Sequence, residues 1–467
     1  MVRSVLKIFL TCATSIVLLV IPRLANALSR PHNSCHPTTS IKQSINAASH
    51  RRSALTKLIT AGVGGLAGGI TIDRGASRAQ AATTALPSSS SSSSSLHASA
   101  PRPPIRTNKK VYLPPPNSLN GKVIVITGGT TGLGLESAKR LAAAGATIVL
   151  TARTEAKAAK AITDVREYLD DITGAQSSLA NGDGDGDNKS RHRVYAVTLN
   201  LDDMESITSF PRRYDALALP SKTIDVLMNN AGVAAIPQRE LTTDGFERTF
   251  QSNHLGPFVL TALLFPYLNR REGSRVVNVS SYAHEFVWVG RSGGATRFGL
   301  DVGNLNGEME YNGAGWPAYC RSKLENVLFT RELQRRADEG GLDWLTAVAL
   351  HPGVVSTDIW RNTYFGLDQR GQRRAVVAEG KIGGERGVLQ SFVSNVFYSI
   401  NRSVEEGANT QVMLAASGEP KGTLVKGQYF DKNMRLKELS DFARDETMAR
   451  YLWDKSEELA GIKFEVI

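Results

Sequence analysis

The sequence predicts an α/β domain built on a doubly wound parallel sheet, one domain spanning residues 118–467 behind a long leader. Three observations carry this prediction. Short apolar, β-branched runs recur along the chain, as strands buried on both faces require. Amphipathic helical stretches separate them, so strand and helix alternate and each connection crosses over one sheet. A glycine-rich turn stands between the first apolar run and the first helical stretch.

The leader comes first. Residues 1–29 carry Arg3 and Lys7, an apolar run from Ile8 to Ile21 and the small-residue pattern Ala25-Asn26-Ala27, the layout of a signal peptide. Residues 30–82 are rich in Ser, Thr, Ala and Arg, like an organellar transit peptide. They also hold Arg51-Arg52, an apolar Gly/Ala stretch and Ala79-Gln80-Ala81, in the manner of a twin-arginine signal. A signal followed by a transit-like segment predicts a plastid, stroma or thylakoid; a lone signal with a polar tail predicts the endoplasmic reticulum or secretory pathway. Residues 83–117, Ser- and Pro-rich, read as linker.

Charge belongs to the leader too. The first 110 residues hold 14 of the 55 Lys and Arg but one of the 44 acids, leaving 41 basic and 43 acidic residues for the rest. The folded part is not basic, which removes the case for nucleic acid. Three cysteines are too few for a zinc site or a disulfide framework, and no metal is expected; Cys320 reads as an inert buried thiol.

The strands follow in order: Lys122–Thr127, then 146–152, 194–201, 224–228, 275–280 and 345–350. LESAKRLAAAG and FERTFQSNHLGPFVLTALLFPYL are helical between them. NGDGDGDNKSR, 181–191, is a polar surface insertion rather than a calcium loop, and 284–315 reads as part of a substrate rim.

TGGTTGLG after the first strand is a Rossmann-type dinucleotide cradle, with Gly128, Thr131, Gly132, Leu133 and Gly134 approaching a pyrophosphate at a helix N-terminus. An acid after the second strand would hold a free ribose 2′-hydroxyl, but Arg153 stands there. A guanidinium binds a 2′-phosphate, so NADP(H) is preferred to NAD(H). Asn230, Ala231 and Gly232, after the fourth strand, leave room for an adenosine or ribose edge.

Tyr319 and Lys323 in WPAYCRSKLENV are four residues apart, on one face of a helix whose first turn contains Pro317. A nearby ammonium favours the phenolate, so the tyrosine pKa is expected to fall from about 10.

TGGTTGLG, NNAG, VNVSS, YCRSK and HPGVVST, in this order and spacing, resemble the short-chain dehydrogenase/reductase family. The wording of GFERTFQSNHLGPFVLTALL, AYCRSKLENVLFTRELQRR and EEGANTQVMLAASG is most similar to its retinol dehydrogenase subgroup, over residues 119–462. The resemblance implies that Tyr319 is the general acid/base and that Lys323 lowers its pKa and holds the nicotinamide ribose. It also implies that Ser281 hydrogen-bonds the reacting oxygen and that Asn253 supports a proton relay. Pro352, Gly353, Val355 and Thr357 would wrap the nicotinamide carboxamide. Asn200-Leu201 replaces the family's Asp-Leu at the adenine, and the 37 residues between Ser281 and Tyr319 exceed the family's usual spacing.

The expected activity is NADP(H)-dependent hydride transfer on a carbonyl or alcohol of an apolar small molecule, such as a retinoid, steroid, fatty aldehyde or pigment derivative. Ile359, Trp360, Tyr364, Phe365, Val388, Leu389 and Phe392 read either as a lid over it or as the core of one more helix. Peripheral membrane association fits such a substrate; the sequence sets no oligomeric state. Competing readings are a non-catalytic NADP(H)-binding, redox-sensing subunit of a membrane complex and a protochlorophyllide reductase relative.

Overall fold

Val123 and Val125 of the first strand pack with one buried cluster and Ile124 and Ile126 with another, so the strand sits between two apolar layers. The computed structural model describes residues 111–177, 193–292, 295–308, 311, 315–355, 357, 359, 402–417 and 426–467. The leader to residue 110, the insertion at 181–191, and Trp360, Tyr364, Phe365, Val388, Leu389 and Phe392 lie outside them.

The strands are β1 (Val123–Ile126), β2 (Thr147–Ala152), β3 (Val194–Thr198), β4 (Val226–Asn229), β5 (Ser274–Val279), β8 (Leu345–Leu350) and β9 (Tyr429–Phe430), and their order in the sheet is β3-β2-β1-β4-β5-β8-β9. Every pairing in this sheet is parallel. Helices α1 (Gly132–Ala143), α2 (Glu155–Ser177) and α5 (Asn409–Ala416) cover one face; α3 (Gly256–Leu264), α4 (Trp316–Glu339) and α6 (Glu446–Ala460) cover the other. The order reverses between β1 and β4, which opens a crevice at the carboxyl ends of those strands. The expected doubly wound parallel sheet is the observed one.

Three features add to the expectation. The packed chain begins before 118, because the Tyr112 N–H donates to Asn409 Oδ1 (2.9 Å) and its carbonyl accepts from Arg140 (3.2 Å). Part of 284–315 forms a separate antiparallel hairpin, β6 (Trp288–Ser292) with β7 (Ala295–Phe298). Of the residues read as lid or as core, Ile359 is described, and it packs against the apolar cluster that contains Tyr319.

Candidate active site

The glycine-rich turn is shaped by close approaches. Gly128 has φ +63°, and a Cβ there would lie 2.9 Å from the Ala231 Cα; a Cβ on Gly134 would lie 2.5 Å from the Gly128 carbonyl oxygen. Backbone therefore lines the cradle where side chains would otherwise intrude. Thr131, the exposed N-cap of α1, makes no side-chain cap, leaving the helix amides facing the crevice. These residues fit a bound pyrophosphate. Two side chains brace the turn: Thr127 Oγ1 accepts from the Asn230 and Ala231 N–H groups (3.0 Å each), and Asn230 Nδ2 donates to the Thr127 carbonyl (2.8 Å).

Arg153 is exposed directly after β2. Asn200 lies beyond the end of the neighbouring β3, where its Oδ1 accepts from the Asp202 N–H (3.3 Å) and its own N–H donates to Ser206 Oγ (3.0 Å). Leu201 is buried, so of this pair Asn200 has the more accessible side chain. Beyond β8, Gly353 has φ +86° and Val355 bridges to Arg402. Val355 and Leu133 both press on Gly407, where a Cβ would meet them at 2.6 and 2.9 Å, joining the 352–357 segment to the glycine turn. Pro352 is buried and Thr357 half-buried in that segment.

The other half of the site sits on α4. Gly315, at φ +75°, caps the helix and Pro317 occupies its first turn, as the sequence predicts. Tyr319 and Lys323 share a buried face, with Lys323 Nζ 5.8 Å from the Tyr319 ring centroid. Ser281, half-buried after β5, hydrogen-bonds the Tyr319 phenol. Ser280 turns the other way, as the pleat requires, and donates to the Lys323 carbonyl (2.6 Å). Asn253 lies in a π-helical turn, Gln251–Leu255, before α3. Its Oδ1 accepts from the Val233 N–H (2.8 Å), and its Nδ2 donates to the Val233 carbonyl and to Ser322 Oγ (2.9 Å each). A Cβ on Gly232 would lie 3.1 Å from Asn253 Oδ1 and 3.4 Å from Lys323 Nζ, so this glycine lets the loop after β4 close on Asn253 and Lys323. Tyr319, Lys323, Ser281 and Asn253 thus lie together.

The expected fall in the tyrosine pKa is not found in the protein alone. Burial pushes Tyr319 up to about 12, against the opposing pull of the Ser281 hydrogen bond. Burial also pushes Lys323 down to about 8. The physical reason is desolvation, which acts on both groups; Lys323 Nζ donates to the Val279 carbonyl (3.0 Å).

A solved structure of an uncharacterized protein from Mycobacterium Paratuberculosis is similar over 76% of this chain and 99% of its own, at 28% identity and a TM-score of 0.48. The short chain dehydrogenase family model matches residues 122–184 and 185–301. Retinol dehydrogenase 14 of Mus musculus is 34% identical over 348 residues, covering 74% of this chain and 88% of the relative. Retinol dehydrogenase 12 of Mus musculus is 35% identical over 347 residues, with the same shares. The chain belongs to the short-chain dehydrogenase/reductase family. Within it, the chain falls in the retinol dehydrogenase subgroup. As a short-chain dehydrogenase/reductase it is an oxidoreductase that uses a nicotinamide cofactor.

Some supports of this short-chain dehydrogenase/reductase site escape sequence reasoning. Gln411 on α5 is fully buried, and its Nε2 donates to Ser137 Oγ (2.7 Å) and the Leu133 carbonyl (3.2 Å) and reaches Asn230 Oδ1 (3.3 Å). Only the fold brings it to a turn more than 270 residues earlier. Thr127 had a signal, a hydroxyl at the last position of the first apolar run.

Proposed function

We propose that this protein is an NADP(H)-dependent oxidoreductase acting on the carbonyl/alcohol pair of an apolar small molecule. The observation that carries the reading is the convergence of Tyr319, Ser281 and Lys323 on one buried wall beside the loop after β4. Bound at the crevice, the nicotinamide supplies or accepts the hydride. In reduction, Tyr319 Oη gives its proton to the carbonyl oxygen while the Ser281 hydroxyl orients that oxygen. Lys323 places positive charge beside the tyrosine left as phenolate. Asn253 holds the Val233 backbone and Ser322 next to Lys323, where a water relay returns the proton.

Exposed Tyr282, Phe286, Trp316 and Val354 lie close in sequence to these groups or within the 352–357 segment, and Trp316 stacks on Tyr319 at 5.4 Å, which supports an apolar substrate. The names of the relatives support including retinoids in a test panel beside steroids, fatty aldehydes and pigment derivatives. Arg153 supports NADP(H) over NAD(H). The test follows oxidation of NADPH and NADH with this panel for the wild type and Tyr319→Phe. The variant is expected to lose at least about a hundredfold in kcat; equal rates would leave a non-catalytic, redox-sensing role. Arg153→Ala is expected to weaken NADPH by roughly tenfold or more and to leave NADH unchanged, read by fluorescence titration.

The leader supports delivery to a plastid, and mapping the mature N-terminus in cells tests it; cleavage near Ala27 with no second cut argues for the secretory route. Among the described residues no helix is long and apolar enough to cross a membrane, and the same apolar side chains are where a peripheral contact would form.

A further inference from the structure

Behind the catalytic wall lies a set of buried rings that the proposed chemistry does not use. His284, fully buried, follows Ser281 in the 3₁₀ turn Tyr282–Phe286. Its Nδ1 is 2.7 Å from the Ser281 carbonyl oxygen and 3.2 Å from the Tyr429 hydroxyl. A carbonyl only accepts, so Nδ1 carries the proton and the Tyr429 oxygen takes its second contact. Ser280 also contacts the Tyr429 phenol, and it donates to the Lys323 carbonyl at 2.6 Å. These contacts link His284, through Tyr429 and Ser280, to the backbone of the catalytic lysine.

Ring packing holds this path in place. His284 meets Tyr429 edge to face at 4.8 Å, and His351 stacks on the other side of Tyr429 at 5.8 Å and contacts Tyr282 at 5.8 Å. Glu285 pairs with Lys437, whose ammonium lies 4.3 Å from the Tyr282 ring centroid. His284 Nε2 is buried with no hydrogen-bond partner among the described residues, so the ring is held through Nδ1 alone. Burial also keeps the His284 imidazole below its ordinary pKa, in the neutral form that this single-donor arrangement uses.

We propose that His284 and Tyr429 are positioning residues for the catalytic pair, fixing the backbone at Ser281 directly and at Lys323 through Ser280. The inference rests on the reading of Tyr319, Ser281 and Lys323 as the reacting groups. It requires the Nδ1 donor of the ring, so an asparagine, whose Nδ2 can stand where Nδ1 stands, preserves it and a leucine does not.

The test uses the full-length mature protein with His284→Leu, His284→Asn and Tyr429→Phe. His284→Leu is expected to lower kcat for NADPH-dependent carbonyl reduction about tenfold or more, because small displacements of reacting groups cost that much. Its KM for the carbonyl and its Kd for NADPH are expected to stay within about twofold. His284→Asn recovers most of the loss, and Tyr429→Phe shows a smaller loss of the same kind. Crystal structures of the wild type and both His284 variants give a readout free of activity: the Ser281–Tyr319 hydrogen bond is expected to break in the leucine variant and persist in the asparagine one. Wild-type kcat in His284→Leu, or kcat and NADPH affinity falling together, overturns the proposal. If the leucine variant does not fold, wild-type kcat in Tyr429→Phe overturns it. A wild type that reduces no carbonyl sinks the functional reading instead, and the crystallographic comparison still decides the role of His284.

Discussion

Tyr319 and Lys323 are each held away from their ordinary ionisation by the same burial, and in opposite directions of charge. With Tyr319 pushed up to about 12 from 10.0, the free enzyme carries a phenol, the form that donates a proton, throughout the neutral range. Reduction needs that form and oxidation needs the phenolate. The kcat/KM for carbonyl reduction is therefore expected to stay level as pH rises towards about 8, where Lys323 begins to lose its charge, and that for alcohol oxidation to climb over the same range. Initial rates in both directions from pH 6 to 10 check this; a falling oxidation limb would contradict it. Tyr319 and Lys323 were legible as a same-face pair from their spacing, and their expected roles, with that of Ser281, came from the family resemblance carried by YCRSK and VNVSS. Their ionisation was not legible, since desolvation depends on what the rest of the chain packs around them.

At the scale of elements, α4 carries the site and also an acid that nothing in the chemistry needs. Glu325 is fully buried with neither carboxylate oxygen hydrogen-bonded; Arg321 Nε is 3.8 Å away, and Glu247 opposes its charge. Burial pushes it up to about 8 from 4.5, so its contribution to stability is complete below pH 4.5 and is lost as pH rises through 8. Thermal melts of Glu325→Gln and the wild type should converge near pH 4.5 and separate in favour of glutamine at pH 8.5. The start of the same helix depends on Gly315, because a Cβ there would sit 1.9 Å from the Ile236 carbonyl oxygen at a φ of +75°. Gly315→Ala is expected to cost about 1–3 kcal/mol or more in urea denaturation. Helix α4 and six strands of the sheet, β1 to β5 and β8, announced themselves through periodicity and β-branching. The hairpin of β6 and β7, the two-residue β9 and the π-helical turn around Asn253 did not, because short or irregular backbone leaves no periodic trace.

For the molecule as a whole, the crevice at the β1/β4 reversal was predictable, since a glycine turn after the first strand of an α/β sheet has one place to go. The buttress behind it was not, as Gln411 and Asn409 reach α1 from the far end of the chain. Gln411→Ala is expected to weaken NADPH binding by about tenfold while leaving Tyr319 chemistry at saturating cofactor unchanged, a split that fluorescence titration and kcat together resolve.

That late buttress also orders events in the life of the protein. During synthesis the glycine turn emerges long before Gln411 leaves the ribosome, so a nascent or partly threaded chain has an unsupported cleft. Any crossing of a membrane in extended form must then precede capture of the dinucleotide, and the compartment where folding finishes is the one whose nicotinamide pool loads the enzyme.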